Sequence, residues 1–409
     1  MSLYLKSLTS LPFKKNRNMK KVILLFAIIL FFQSNAQIKV LFDATKSEMA
    51  GNADWVIDAD SKTGGESNPQ RIPTPAQSGI TASTSETYWT GALSAWAIDL
   101  VKQGYYVETL PISGKITYGD GTNVQDLSNY KVFIVTEPNN SFSATEKTAI
   151  INFVKNGGGL YIIADHDNSD RDGDGIDAPS VWNDLFSTNS VKANPFGVTF
   201  NLVSISQTTS NFANLPSNTI LHGTAGNPTL MQYSAGATMT LDKTANASVQ
   251  GLIYKTGSST TGTTNVMFAT ATYGSGKICA LGDSSVPDDG TGDSGDTLYD
   301  GYFTDASGNH QPLLVNSVIW LATSSGLGTD DILKPELSVD IYPNPSSDFV
   351  YVKSNTSDKY HLTLMDSSGK VLQSIPNAER VSISSYPKGI YYLLVKNDKG
   401  FKNFKVEKK

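Results

Sequence analysis

The sequence predicts an α/β protein: a doubly wound, mostly parallel sheet with inserted β-rich loops, followed by a small all-β sandwich at the C-terminus. Three observations carry that expectation. Between Ile38 and Ala164, short runs that are apolar throughout alternate with helical runs, the pattern of a parallel sheet covered on both faces. From about Val191 to Thr272 the chain becomes rich in Ser, Thr, Asn and Gly with weak alternation, which predicts hairpins or extra strands. From Leu337 to Lys409, short runs alternate apolar and polar residues between turn residues, as in an antiparallel sandwich.

Each element has its own signal. "IKVLFDAT" reads as the first strand, and "YWTGALSAWAIDLVKQG" as a helix with Trp89, Leu93, Ala97, Leu100 and Val101 on one face and Gly104 as its stop. "YYVETLP" and "KVFIVTEPN" are the next strands. "SATEKTAIINFVKNGGG" then opens on a Ser143/Glu146 capping box and closes in glycines. "GLYIIA" is a fourth strand, "GKICALGD" a late buried one, and "HQPLLVNSVIWLATS" a closing helix. Residues 37–324 are expected to form the α/β domain, 325–336 a linker, and 337–409 the sandwich.

The ends of the chain speak of export. Lys20 and Lys21, the apolar run "VILLFAIILFF" and the small residues "SNA" have the order of a secretory signal, cleaved after Ala36. Residues 1–36 are assigned to it, with Met19 as an alternative start. The run is about half of what a spanning helix needs, so no transmembrane segment is expected after signal removal. At the other end, "IYPNPSSDFVYV", "LMDSSGKVL", "YPKGIYYLLV" and the basic tail resemble the C-terminal sorting domain of the type IX secretion system. The resemblance implies a Bacteroidetes-type cell, Sec export followed by outer-membrane secretion, contact with the type IX machinery, and release or surface attachment.

Composition narrows the function. The net charge is −6 and no long Lys/Arg run occurs, which argues against a nucleic-acid partner. The single cysteine, Cys279, cannot close an internal disulfide and lies in an apolar run, so it reads as a buried strand residue. His222 and His361 read as structural.

The crossing "FVKNGGGLYIIADH" resembles the class I glutamine amidotransferase-like fold, which is flavodoxin-like, over Ile38 to Ser324. That family's cysteine nucleophile is replaced here by Asp165 and His166, and no His-x-Glu pair follows, so its glutamine chemistry is not carried over. "AGNADWVID", "PTPAQSG" and "DHDNSDRDGDG" also resemble a group of secreted bacterial proteins whose reaction is uncharacterised.

In an open parallel sheet, ligands bind beyond the carboxyl ends of the strands. Those ends carry Asp43, Glu137, the trio Asp165, His166 and Asp167, and Asp283 with Ser284; Glu48 and His310 are further candidates for the same rim. So many carboxylates at one rim need a cation or raised pKa values. The metal-assisted reading has a second divalent metal held by some of Asp165, Asp167 and Asp283, with His166 shuttling the proton; His166 pairing only with a neighbouring aspartate is the other reading open for it. A metal-free variant divides acid and base roles between two rim carboxylates.

Asp170, Asp172 and Asp174 alternate ahead of Gly175, the D-x-D-x-D-G pattern that wraps a hard cation, here Ca2+. Asp177 or Asp184 would supply the closing carboxylate. A second acidic stretch, with Asp288, Asp289, Asp293, Asp296 and Asp300, reads as an exposed glycine-rich loop. Glu48, Asn52, Asp54 and Trp55 sit in a long loop of the kind that is more often functional than idle, and Trp55, Tyr88 and Trp89 are candidate stacking surfaces. Two functions follow as expectations. One is a secreted, calcium-binding, metal-assisted hydrolase of an extracellular polymer. The other is a non-catalytic, calcium-stabilised surface protein that binds carbohydrate or protein.

Overall fold

The structure is a computed structural model that describes residues 37–48, 55–57, 77–292, 297–303, 309–323, 339–354, 359–366, 371–397 and 401–409. The signal segment, the linker, Asn52, Asp54, Asp293 and Asp296 lie outside the described residues. Contacts divide the chain into two compact units between Thr323 and Ser324.

The first unit is built on a nine-stranded sheet. Its strands are β1 (Lys39–Asp43), β2 (Tyr106–Leu110), β3 (Val132–Thr136), β4 (Gly159–Ile163), β5 (Val198–Phe200), β8 (Met239–Leu241), β9 (Gln250–Tyr254), β10 (Val266–Tyr273) and β11 (Gly276–Leu281). They run in the order β2-β1-β3-β4-β11-β10-β8-β5, with β9 also paired to β10. From β2 to β11 every pairing is parallel; β10, β8, β5 and β9 extend the sheet with antiparallel pairings. The Ser/Thr/Asn-rich stretch supplies that extension and a separate hairpin of β6 (Ile205–Thr209) and β7 (Met231–Gly236).

Among the described residues four helices pack on the two faces of this sheet: α1 (Ser94–Lys102), α2 (Ala144–Lys155), α3 (Ala178–Thr188) and α4 (His310–Ala322). Successive strand residues point to opposite faces, and both faces are apolar. Phe42, Ile134, Tyr161, Ile163, Cys279 and Leu281 join one core with Trp96 and Ile98 of α1 and Leu313 and Leu314 of α4. Leu41, Phe133, Val135, Ile162 and Ala280 join the other with Ile150 and Val154 of α2 and Trp182 and Leu185 of α3. Burial on both faces is why these strands lack polar alternation.

The capping box opens α2: Ser143 Oγ accepts from the Glu146 amide at 3.3 Å, and Glu146 Oε2 accepts from the Ser143 amide at 2.8 Å. The first helix differs from expectation. It starts at Ser94, preceded by a 3₁₀ turn over Glu86–Tyr88, so Trp89 lies ahead of the helix although it stays in the core. Gly91 between them has φ 142°, outside helical space.

The second unit is all β. Its three-stranded sheet is β12 (Val339–Tyr342), β13 (Phe349–Ser354) and β16 (Arg380–Ser382), and its four-stranded sheet runs β15 (Val371–Ala378), β14 (Tyr360–Met365), β17 (Gly389–Lys396), β18 (Phe401–Lys408). Val350, Leu362, Leu364, Leu393, Val395 and Val406 form its core.

Candidate functional site

The strand order places a direction switch at β1 and β3, and the parallel strands deliver their carboxyl ends to one rim. Glu137 follows β3 with φ 50°, a left-handed conformation that is uncommon for a non-glycine residue and often marks a functional turn. Its amide donates to the Ile163 carbonyl at 3.0 Å, which fixes the turn to the end of β4.

The Glu137 side chain is fully buried and accepts three hydrogen bonds. Arg171 Nε donates to Oε1 at 2.6 Å; Trp55 Nε1 and the Ser284 hydroxyl donate to Oε2 at 2.5 and 2.6 Å. Arg171 Nη2 also donates to Asp165 Oδ2 at 2.9 Å. The arginine is held from behind: its amide donates to Asn139 Oδ1 at 3.0 Å, and Asn139 Nδ2 donates to the Glu137 carbonyl at 2.9 Å. The loops after β3 and β4 are thus latched together through backbone and side chain.

Beyond β11, Gly282 passes where a Cβ would stand 1.8 Å from the Ala237 carbonyl oxygen, so only glycine lets the chain reach Asp283 along this path. Asp283 Oδ1 accepts from the Ser285 amide and hydroxyl at 2.8 and 2.5 Å, and Oδ2 from the Ala235 amide at 3.2 Å. Trp55, Asp165, His166, Arg171, Asp283 and Ser284 line a cavity of about 70 Å³. Ser234, Ser285 and Tyr299 lead from it into a neighbouring cleft of about 240 Å³ that His310 borders.

One guanidinium therefore bridges two buried carboxyls, Glu137 and Asp165, while Asp283, on the same cavity, is held by backbone amides and the Ser285 hydroxyl. Burial holds the Asp165 carboxyl well above its usual range, reinforced by the charges of Glu137 and Asp283 and only partly opposed by Arg171. Burial likewise pushes Asp283 up to about 7, against the hydrogen bonds it accepts.

The other residues singled out from the sequence fall into different places. His166 is half-buried, with Nδ1 2.6 Å from the Asp167 carbonyl and Nε2 3.8 Å from Asp165 Oδ2. The first contact assigns the proton to Nδ1. Asp177 stands outside the Asp170, Asp172 and Asp174 group and caps α3, Oδ1 accepting from the Ser180 amide at 2.9 Å and Oδ2 from the Asn168 amide at 2.8 Å. Asp184 also stands outside that group and pairs with Lys147 at 2.5 Å.

Among the described residues, Asp170, Asp172 and Asp174 are the one acidic or histidine group whose ligand atoms lie within 4.8 Å of one another. Asp165, Asp167 and Asp283 do not form such a set, because Asp165 is turned to Arg171 and Asp283 to backbone amides. The aspartate loop is braced by its own backbone: Asp170 accepts from the amides of Gly173, Asp174 and Gly175 at 2.8, 3.1 and 2.7 Å.

Asp43 and Glu48 form a buried acidic pair behind Trp55, whose amide donates to the Glu48 carbonyl at 2.9 Å. Burial pushes Asp43 up to about 6 and holds Glu48 well above its usual range, with Asp43 as the second cause. His310 Nδ1 meets the Gly301 carbonyl at 2.6 Å and Nε2 accepts from the Gln232 amide at 3.0 Å, a neutral arrangement. It lies at the start of α4, beside the neighbouring cleft rather than in the cavity. Asp288 and Asp289 are buried, not exposed as expected. Asp289 Oδ2 accepts from the Ala95 amide at 2.8 Å and so satisfies the first turn of α1 from a remote loop. Arg171, Ser234 and Tyr299 are lining residues that the sequence reading did not place, and the signal for Arg171 was its standing as the one cation in an acidic run.

Residues 340–408 match the secretion system C-terminal sorting domain. That domain marks export through the type IX secretion system to the cell surface or extracellular space, and implies contact with its machinery. No helix among the described residues is long and apolar enough to cross a membrane. No curated protein matches the chain. Among solved structures, the chain is similar to the mmIFT52 N-terminal domain at 14% identity, covering 69% of this chain and 97% of that one with a TM-score of 0.40. For the cytoplasmic protein STM3548 from Salmonella typhimurium the values are 14%, 69%, 99% and 0.38. For a ThuA-like protein from Parabacteroides merdae ATCC 43184 they are 12%, 72%, 94% and 0.34.

Proposed function

We propose that this exported protein is a hydrolase of an extracellular polymer that works by acid–base chemistry, with Asp165 and Asp283 as its proton-transferring pair. The observation that carries the reading is a cavity lined by two buried carboxyls, Asp165 and Asp283, of which only Asp165 is paired with Arg171. Burial holds both of these carboxyls above their usual range. Asp283, pushed up to about 7, is poised to give or take a proton at neutral pH, where general acid–base catalysis is most efficient. Arg171 occupies the position beside Asp165 that the metal-assisted version reserved for a cation, which favours the metal-free version. Glu137, held by three donors, orients Arg171 and Ser284 rather than transferring a proton.

The parallel order β2-β1-β3-β4 with helices on both faces supports an amidotransferase-like layout of the α/β unit. Its chemistry is different, since Cys279 is buried in β11 with its thiol pushed far up by burial. Calcium at Asp170, Asp172 and Asp174 would hold the loop that carries Arg171, and the spacing of those carboxyls supports that part.

The same calcium loop favours a second reading, a non-catalytic surface protein that binds carbohydrate or protein. The full chain tested on chromogenic esters, peptides and glycosides separates the two. Turnover that falls about 10²- to 10⁴-fold in Asp283→Asn supports the hydrolase, and turnover indifferent to Asp283 and Asp165 removes it.

A further inference from the structure

Three oxygens at the end of β1 have no hydrogen-bond partner among the described residues: Asp43 Oδ2, Thr45 Oγ1 and Glu48 Oε1. Asp43 is 2% exposed and Glu48 0%. The other carboxyl oxygens are anchored to the backbone, Asp43 Oδ1 by the Thr45 amide at 3.2 Å and Glu48 Oε2 by the Lys46 amide at 2.5 Å. The Asp43 and Glu48 carboxyls lie near enough to act on one another's charge, and the Thr45 hydroxyl lies near Asp43. The hydroxyl lies beside it without reaching hydrogen-bond geometry.

Two neighbouring carboxylates out of water repel, and a buried oxygen left without a hydrogen bond is costly. The cation closest in sequence, Lys46, eases the Asp43 charge only in part, because its Nζ is bound 2.7 and 2.8 Å from the two carboxylate oxygens of Glu146. A single proton shared by the acids would satisfy Asp43 Oδ2 and Glu48 Oε1 and leave the Thr45 oxygen unserved. A hard cation between them satisfies all three oxygens and balances both charges, since such ions take carboxylate, hydroxyl and carbonyl oxygens together.

We propose that Asp43, Thr45 and Glu48 form a buried site for one hard divalent cation of the calcium or magnesium class, separate from the Asp170–Asp174 loop. The ion would act on the candidate site by positioning. Glu48 holds the Trp55 backbone, and the Trp55 indole donates to Glu137.

The test uses the full chain carrying Asp170→Asn, Asp172→Asn and Asp174→Asn, which silences the exposed loop. It is dialysed against calcium, magnesium or manganese; bound metal is counted by mass spectrometry, and folding is followed by circular dichroism. The proposal expects about one equivalent of a divalent ion to remain. Glu48→Gln, whose amide can donate to Asp43 and preserve the fold, should lose it. A folded protein that holds less than about a tenth of an equivalent of every ion, as a proton-sharing pair would, overturns the proposal, and so does unchanged metal content in Glu48→Gln. Should Glu48→Gln fail to fold, Thr45→Val removes one ligand at nearly constant shape. It is expected to weaken binding about tenfold or more, and unchanged affinity in that variant overturns the site.

Discussion

Arg171 Nε lies 2.6 Å from Glu137 Oε1, joining the acidic loop after β4 to the left-handed turn after β3. The pair is buried on the glutamate side and partly open on the arginine side, with side-chain exposures of 0% and 26%. Its guanidinium plane is also the sole positive group that hydrogen-bonds Asp165 among the described residues.

Removing that cation leaves buried carboxyls unpaired. Arg171→Met is expected to destabilise the α/β unit by about 3–5 kcal/mol at pH 8. The loss should be smaller at pH 5, because Asp165, held above its usual range by burial, takes up a proton more readily as pH falls. Urea unfolding at the two pH values measures it. Equal losses at both would mean that the arginine acts by packing alone.

Asp283 sets a sign for the pH dependence of stability. Its folded value, about 7, lies above the ordinary 3.8, so the native state binds its proton more tightly than the unfolded chain does. Its stabilising contribution is complete below about pH 4, declines as pH rises, and is lost once pH has passed through about 7. Across that window the slope from this one group approaches about 1.4 kcal/mol per pH unit. Chemical denaturation from pH 5 to 8 should show the decline, and Asp283→Asn should flatten it.

The remote cap of α1 makes a prediction about helix stability. Asp289 accepts from the Ala95 amide and from Thr291, and its loss in Asp289→Ala should cost about 1–2 kcal/mol. Asp289→Asn retains an acceptor and should cost less. Thermal unfolding followed at 222 nm compares them; a neutral alanine variant would show that water replaces the cap without penalty.

The exposed aspartate loop predicts a calcium effect. Calcium at about millimolar concentration, the range of extracellular modules, should raise the melting temperature of the full chain. Asp172→Asn with Asp174→Asn should abolish the rise and His166→Ala should leave it intact. A rise that survives loss of both aspartates would assign the effect to another site.

Much of this arrangement was legible in the chain because it follows from strand ends. Asp43, Glu137, Asp165 and Asp283 each end or follow an apolar run, and a parallel sheet brings such positions to one rim. The capping box at Ser143 and Glu146 is equally local. What was not legible depends on where a side chain turns after the backbone leaves the sheet. Asp177 looked like a fifth acid in the loop, yet Pro179 just inside the following helix already marked it as a cap. Trp89 fits the apolar spacing of the helix but is cut from it by Gly91. Asp289 reaches α1 across most of the unit, a contact that no spacing rule conveys. The direction of Arg171 toward both Glu137 and Asp165 belongs to the same class.

The central claim is that Asp283 exchanges a proton during hydrolysis, and the pH profile of kcat/KM tests it most directly. With a substrate from the ester, peptide or glycoside panel, the profile should show a limb with a midpoint near 7, the value at which Asp283 titrates. In Asp283→Asn, turnover should fall about 10²- to 10⁴-fold and the limb should disappear. A folded Asp283→Asn protein that keeps the parent rate and the parent profile contradicts the account.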